Sequence, residues 1–173
     1  MKEPIVDKLG NGMADDALLE KSVGGRLLAK GCTVACAESC TGGLLTSRLT
    51  DVPGSSAYVL GSIVSCTDPV KQRLVGVRAA TLAMYGAVSE ETAQEMAEGI
   101  RSQIQTDLGV GITGLAGPDG GTADQPIGLV YIAVAGPQGT VIKKNLFQGT
   151  RVQIKYQATQ TALAMIRKYL DSV

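Results

Sequence analysis

The sequence of 173 residues is poor in aromatic side chains and carries no net charge. It has no tryptophan, no histidine and one phenylalanine, and its sixteen basic residues balance sixteen acidic ones. The basic residues are scattered along the chain. Such a surface offers neither the cationic patch that nucleic acid or an anionic membrane requires nor the rings on which single-stranded bases stack. We therefore predict no nucleic-acid and no membrane partner, and expect a small-molecule or protein partner.

Long apolar runs are also missing. No stretch reaches the length of a membrane span, and the first four residues do not lead into the apolar core of a signal peptide. The expected location is the cytoplasm. Residues 1–14 are polar and lack periodicity, so we interpret them as a loose N-terminal arm. Residues 15–173 have the length of a single domain with its own core.

The four cysteines do not have the pattern of a metal site. Cys32, Cys36, Cys40 and Cys66 lack the paired spacing of zinc ligands, and there is no histidine to complete such a site. The first three recur at every fourth residue, which resembles an iron–sulfur ligand run only loosely. We therefore predict no metal and interpret the cysteines as small buried apolar residues in a reducing compartment.

Segments with helical spacing alternate with short apolar runs along residues 15–173. Helices are predicted over about residues 15–30, 42–50 and 89–105, from residue 68, and from residue 151 to the C-terminus. Strands are predicted over about residues 32–37, 57–65, 107–113, 127–135 and 140–147, with a hairpin turn at 136–139. This alternation predicts an α/β fold, a three-layer α/β/α sandwich with a mixed, mostly parallel sheet.

A serine lies at the end of the first predicted strand. Ser39 is followed by Thr41, Gly42 and Gly43, which open a predicted helix whose backbone N–H groups would face a ligand beside the serine. A nucleophile next to such an anion hole suggests acyl-transfer chemistry. The alternative is an ordinary strand–turn–helix junction in which the serine and the threonine act as caps.

A lysine follows the second predicted strand in a position that favours its neutral form. Asp68 is predicted as the N-cap and Pro69 as the first residue of a helix, so Lys71 falls in the first turn. The positive end of the helix dipole disfavours a protonated amine, and burial would act in the same direction. Lys71 is therefore a candidate base, and the alternative is a solvated surface lysine.

A glycine-rich loop at residues 114–122 follows the third predicted strand. It is not a Walker A loop, because the Gly-Lys-Ser/Thr ending is missing. A mononucleotide could approach the backbone closely here, and a plain flexible loop is the alternative. Arg151 lies in a capping box at the entrance of the last helix. Because ligands gather at the carboxyl ends of strands in such sheets, we expect Ser39, Lys71 and this loop to share one crevice.

Four motifs in register resemble the CinA C-terminal domain family. They are the sequences at residues 37–43, 53–56, 86–90 and 114–122, and the resemblance extends from about residue 15 to residue 170. It implies a nicotinamide-nucleotide amidohydrolase that converts nicotinamide mononucleotide to nicotinic acid mononucleotide and ammonia without a cofactor. Because some members carry a second, N-terminal domain for which 173 residues leave no room, the chain resembles the stand-alone form.

The resemblance also implies roles for single residues. Ser39 would be the nucleophile, and Lys71 would take its proton and later pass it to the leaving ammonia. Backbone N–H groups near Thr41 would hold the oxyanion or the substrate phosphate, the glycine-rich loop would line the nucleotide, and Arg151 would pair with phosphate. The substrate-binding positions implied in this way are Thr41, Gly42, Gly43, Cys66, Thr113, Gly114, Gly117 and Arg151.

Two positions depart from the family pattern. Cys66 stands where the family usually has a tyrosine, and Lys155 stands where a second arginine is common. A cysteine lacks the reach and the hydrogen bond of a phenol, and a lysine cannot make a bidentate phosphate contact. A catalytically impaired nucleotide-binding or regulatory member is therefore the second hypothesis, and a structural interaction domain is the third. Alanine-rich helix faces leave room for a homo-oligomer.

Overall fold

The structure is a computed structural model that describes residues 13–173. These residues contain five strands, six α-helices and a 3₁₀ turn at Ser55–Ala57. The strands are β1 (Val34–Glu38), β2 (Val59–Val64), β3 (Leu108–Gly114), β4 (Leu129–Gly136) and β5 (Gly139–Leu146). The helices are α1 (Met13–Lys30), α2 (Leu44–Thr50), α3 (Asp68–Val75), α4 (Ala79–Tyr85), α5 (Glu90–Ile104) and α6 (Arg151–Asp171). Residues 1–12 of the predicted arm lie outside the described residues.

The strands form one mixed sheet in the order β2-β1-β3-β4-β5. β1 pairs in parallel with both β2 and β3, whereas β4 is antiparallel to β3 and to β5. Four strands therefore run in one direction and β4 alone runs in the other, which confirms the predicted mixed, mostly parallel sheet. The carboxyl ends of β1, β2 and β3 consequently meet at one edge.

Helices cover both faces of the sheet, and the two faces pack differently. α1, α2 and α6 cover one face over a core of large aliphatic side chains, and α3, α4 and α5 lie on the other. On the second face, α5 approaches the backbone of β3 at two glycines. A Cβ added at Gly111 would lie 2.4 Å from the carbonyl oxygen of Ala93. The sheet surface under α5 is thus made of residues small enough for direct helix contact.

The element boundaries agree with the predicted ones within a few residues, with two exceptions. Helix α4 was not predicted. The predicted N-cap of α3 was wrong by one residue, because Thr67 occupies that position and Asp68 is the first helical residue. The capping box of Thr150 with Gln153 is confirmed, and so is the Ser89 cap of α5. Within residues 13–173, no helix has the length and apolarity needed to cross a membrane.

Candidate active site

Ser39 and Lys71 meet at the carboxyl edge of the sheet. Ser39 is the residue after β1, and its backbone N–H donates to the carbonyl oxygen of Ile112 at 2.9 Å, which holds the serine beside the end of β3. Lys71 comes from the first turn of α3, and its Nζ lies 3.2 Å from Ser39 Oγ. The serine is half-buried. The pair has the separation of a nucleophile and its base.

The amine of Lys71 is held inside the protein. Only 1% of the residue is exposed, and its Nζ donates to the carbonyl oxygen of Ser65 at 2.8 Å. Burial lowers the pKa of Lys71 from its ordinary value of 10.5, while the negative charge of Asp68 acts in the opposite direction. The alternative of a solvated surface lysine is therefore wrong, and the environment favours the neutral amine that can accept a proton.

The turn after Ser39 is fixed by a buried carboxylate. Glu38 is completely buried and accepts hydrogen bonds from Thr41 Oγ1 at 2.7 Å and from Thr46 Oγ1 at 2.7 Å. It also accepts from the backbone N–H groups of Leu45 and Thr46, at 2.8 and 3.0 Å. The start of α2 is thus filled by an anion of the protein itself, which leaves no place for a ligand phosphate on these donors.

The remaining donors of this turn lie closer to the serine. The N–H of Gly42 donates to Ser39 O at 3.1 Å and is already used. The N–H groups of Thr41 and Gly43 donate to no acceptor within residues 13–173. Gly42 and Gly43 have φ values of 60° and 97°, a conformation that favours glycine. Of the three predicted positions, two therefore retain free N–H groups beside Ser39.

Two cations flank this turn from the start of α6. Arg151 Nη1 donates to the carbonyl oxygen of Gly117 at 2.6 Å, which fastens α6 to the glycine-rich loop. Lys155, one turn later, places its Nζ 3.7 Å from the position that a Cβ on Gly42 would occupy. Both charges act on the thiol of Cys40, although its burial dominates and raises its pKa to about 12. Arg151 and Lys155 therefore bring positive charge to the turn after Ser39.

Thr113 and Gly114 support the site from the end of β3. Thr113 is buried, and its hydroxyl donates to the carbonyl oxygen of Ala87 at 2.7 Å. A Cβ on Gly114 would lie 2.6 Å from the carbonyl oxygen of Leu129, so this glycine permits close contact with β4. The structure places both residues at the predicted edge, and their contacts are with the protein.

Sequence comparison identifies the family of this chain. The family model for the CinA C-terminal domain matches residues 16–170. The chain belongs to this family. A competence-damage inducible protein of Desulforudis audaxviator is 47% identical over 157 residues, which cover 91% of this chain and 38% of the relative. A CinA-like protein of Acaryochloris marina is 48% identical over 158 residues, which cover 90% of this chain and 38% of the relative.

Solved structures of the CinA superfamily share the fold. The crystal structure of competence/damage inducible protein CihA from Agrobacterium tumefaciens matches with a TM-score of 0.87 and 36% identity, covering 91% of this chain and 96% of that one. The chain spans about two fifths of the length of the curated relatives it matches. The fold expected for a CinA C-terminal domain is therefore confirmed.

Cys66 is, with Lys155, one of the two residues expected to depart from the family pattern. Cys66 is exposed and stands between β2 and α3, and the charge of its thiolate form acts on the amine of Lys71. The interpretation of all four cysteines as buried residues is thus wrong for Cys66. It holds for Cys36, which is fully buried and whose thiol pKa is raised by that burial. The Cys36 thiol is therefore protonated and unreactive.

Two residues of the site were missed from the sequence. Glu38 is a charged residue within an apolar strand, and this contrast is a signal that could have marked it. Ser65 accepts the hydrogen bond of Lys71 through its backbone, which no side-chain pattern can indicate. Both residues lie where the neighbouring strands β1 and β2 end, and Ser65 N–H donates to Glu38 O at 2.8 Å.

Proposed function

We propose that this protein is a serine–lysine amidohydrolase that converts nicotinamide mononucleotide to nicotinic acid mononucleotide and ammonia in the cytoplasm. The observation that carries the proposal is the 3.2 Å contact between Ser39 Oγ and the buried amine of Lys71. A neutral lysine amine can deprotonate a serine hydroxyl, and the resulting alkoxide attacks an acyl carbon. The family resemblance supplies the identity of the acyl group, a carboxamide.

In the first half of the reaction, the Ser39 proton moves to Lys71 Nζ while Ser39 Oγ bonds to the carboxamide carbon. The free N–H groups of Thr41 and Gly43 lie in the turn after the serine and suit the oxyanion that forms. The carbon–nitrogen bond then breaks, and the leaving nitrogen takes the proton from Lys71 and departs as ammonia. An ester on Ser39 remains.

In the second half, water attacks the ester carbon and gives a proton to Lys71. The carbon–oxygen bond to Ser39 breaks, and Ser39 Oγ takes that proton back from the ammonium. The carboxylic acid product ionises and leaves. In each half-reaction Lys71 accepts one proton and then returns it, so one lysine and one serine complete the cycle.

The two cations at the start of α6 support a phosphorylated substrate. Arg151 and Lys155 lie near the turn after Ser39. A guanidinium and an ammonium near this turn suit the phosphate of a mononucleotide whose carboxamide points at the serine. The adjoining glycine-rich loop at residues 114–122 suits the ribose.

The decisive experiment measures ammonia and nicotinic acid mononucleotide formed from nicotinamide mononucleotide. Ser39→Ala is expected to lower kcat by at least about 1,000-fold, because the covalent route is lost. Ser102→Ala is the matched control, since Ser102 is an exposed serine near the end of α5. Equal turnover in Ser39→Ala and the control would refute the proposal.

The alternative is a nucleotide-binding or regulatory protein that has lost its chemistry at Cys66. The exposed thiol beside Lys71 favours this alternative, because it cannot make the hydrogen bond of the usual tyrosine. Saturable binding of nicotinamide mononucleotide without ammonia release would support it. Recovery of turnover in Cys66→Tyr would then identify this position as the cause.

A further inference from the structure

The amine of Lys71 lacks a partner for one of its hydrogens once it is protonated. Among the described residues its Nζ contacts two acceptors, Ser39 Oγ at 3.2 Å and Ser65 O at 2.8 Å. An ammonium carries three N–H donors. With 1% of the residue exposed, bulk water does not reach the third. The protonated form that the mechanism requires is therefore short of one acceptor.

A hydroxyl without a partner lies on a residue that already touches this amine. Ser65 is completely buried, and its Oγ is one of two buried side-chain polar atoms within residues 13–173 that make no hydrogen bond. Its backbone is fixed, because Ser65 N–H donates to Glu38 O and Ser65 O accepts from Lys71. A buried hydroxyl that stays unpaired destabilises a fold, so such a group calls for an explanation.

Protonated Lys71 lacks a hydrogen-bond acceptor, and the Ser65 hydroxyl lacks a hydrogen-bond partner. Ser65 O lies 2.8 Å from Lys71 Nζ, and the hydroxyl of the same short side chain can change its position by rotation about χ1. We propose that the Ser65 hydroxyl accepts the third hydrogen bond of protonated Lys71 and so stabilises the charge that the lysine acquires from Ser39. Ser65 is then a positioning residue that acts through Lys71. The inference rests on the proposed serine–lysine chemistry.

Among the described residues, none of the titratable groups around the amine fills this role. Asp68, Cys66 and Cys40 act on it through their charges, and none of them is hydrogen-bonded to it among the described contacts. The carboxylate of Glu38 on β1 is bound by the turn and start of α2, and that of Glu95 on α5 by residues at the start of α4. The Ser65 hydroxyl is thus the available acceptor.

The first test is an NMR titration of Lys71 in protein labelled at its lysine side chains, with the signal assigned by its loss in Lys71→Met. Ser65→Ala removes an acceptor of the ammonium, so the pKa of Lys71 should fall, with about a tenfold change in its protonation constant. Ser65→Thr retains the hydroxyl and should restore the wild-type pKa. Ser62→Ala, on the same strand and bonded to Thr46, should leave it unchanged.

The second test is kinetic. In Ser65→Ala, kcat for ammonia release should fall about tenfold with KM unchanged, and Tm should be no lower than in the wild type because an unpaired hydroxyl is removed. A lower Tm with unchanged Lys71 pKa would mean a purely structural role and overturn the inference. A shifted pKa in a protein without turnover would support the inference while refuting the amidohydrolase, so the two failures are distinguishable.

Discussion

Lys71 carries an amine whose burial disfavours its charged form. Its amine is buried with no carboxylate hydrogen-bonded to it, so the folded protein holds the proton less tightly than the unfolded chain does. Between the lowered pKa and the ordinary value of 10.5, the unfolded state therefore binds more protons. Stability must rise with pH over that window, because folding is favoured when the extra proton is lost from the unfolded chain.

This linkage predicts the behaviour of Lys71→Met, which keeps the length of the side chain without its charge. As pH rises through the window between the lowered pKa of Lys71 and 10.5, the wild type should gain stability relative to the variant, by at most about 1.4 kcal/mol per pH unit, the effect of one proton. Urea unfolding at a series of pH values measures the difference. Lys21→Met, at an exposed position of α1, is the control and should show no such slope. A wild-type advantage that shrinks with pH would contradict the assignment.

Glu38 acts at the junction of two elements, since it belongs to β1 and fixes the start of α2. Its carboxylate accepts four hydrogen bonds from Thr41, Leu45 and Thr46. In Glu38→Gln one oxygen becomes an NH₂ group that faces N–H and O–H donors, so the turn that carries Ser39 loses its anchor.

We predict that Glu38→Gln lowers the free energy of unfolding by about 3 kcal/mol, the magnitude of hydrogen bonds to a buried charged acceptor. Chemical denaturation measures this loss, and ammonia release should fall with it because the nucleophile is displaced. Glu98→Gln tests an exposed carboxylate on α5 that accepts from Gln94 and Thr140, and should change stability by less than about 0.5 kcal/mol. Equal effects of the two variants would show that Glu38 does not organise the turn.

The contact between α5 and the sheet depends on glycine, whose lack of a side chain lets the helix backbone come close. A Cβ on Gly111 would lie 2.4 Å from Ala93 O and 2.7 Å from Ala97 N, so Gly111→Ala must push the helix away. We predict a loss of about 1–3 kcal/mol, as for other overpacked cores. Gly25→Ala in α1 meets nothing within 4 Å and should instead add about 0.5–1 kcal/mol. Urea unfolding midpoints, compared at unchanged m-value, would measure the predicted loss of stability in Gly111→Ala and the predicted gain in Gly25→Ala. Unchanged stability in Gly111→Ala would disprove the close packing.

The secondary-structure elements that have local sequence signals were predicted correctly. The structure contains the predicted end of β1 before Ser39, the first turn of α3 with Lys71, the hairpin at residues 136–139 and the Thr150 capping box. Helix α4 escaped prediction because Arg78 at its N-cap makes no side-chain cap and only Thr81 among its residues is buried. Such a helix shows neither a start signal nor an apolar stripe.

The polar contacts of the site were less predictable than the elements. Glu38 binds donors seven and eight residues further along, and Lys71 of α3 meets the carbonyl oxygen of Ser65 in the connection between β2 and α3. These contacts depend on the path of the backbone between elements, which side-chain patterns do not specify. The placement of Ser39 beside Lys71 was accessible because parallel strands share their carboxyl edge, a property of the fold class as a whole.

Across the whole molecule, α1, α2 and α6 are joined by one cationic side chain. Arg48 of α2 is 5% exposed, pairs with Glu20 of α1, and donates to Thr159 and Gln160 of α6 at 2.9 and 2.8 Å. Its guanidinium also lies 4.5 Å from the centre of the Tyr156 ring. Because this layer connects the first and last helices of the described chain, we expect residues 13–173 to unfold as one cooperative unit.

Calorimetry tests this expectation. A single transition is predicted, with calorimetric and van't Hoff enthalpies equal and a heat-capacity increment of about 2.1–2.6 kcal/mol/K for a chain of 173 residues. Arg48→Met should lower the free energy of unfolding by about 3–5 kcal/mol, because it leaves Glu20 unpaired, and should keep one transition. Two transitions would show that the chain unfolds as separate units. A Tm that rises with protein concentration would instead reveal a homo-oligomer, for which the alanine-rich helix faces leave room, since association stabilises only the folded state.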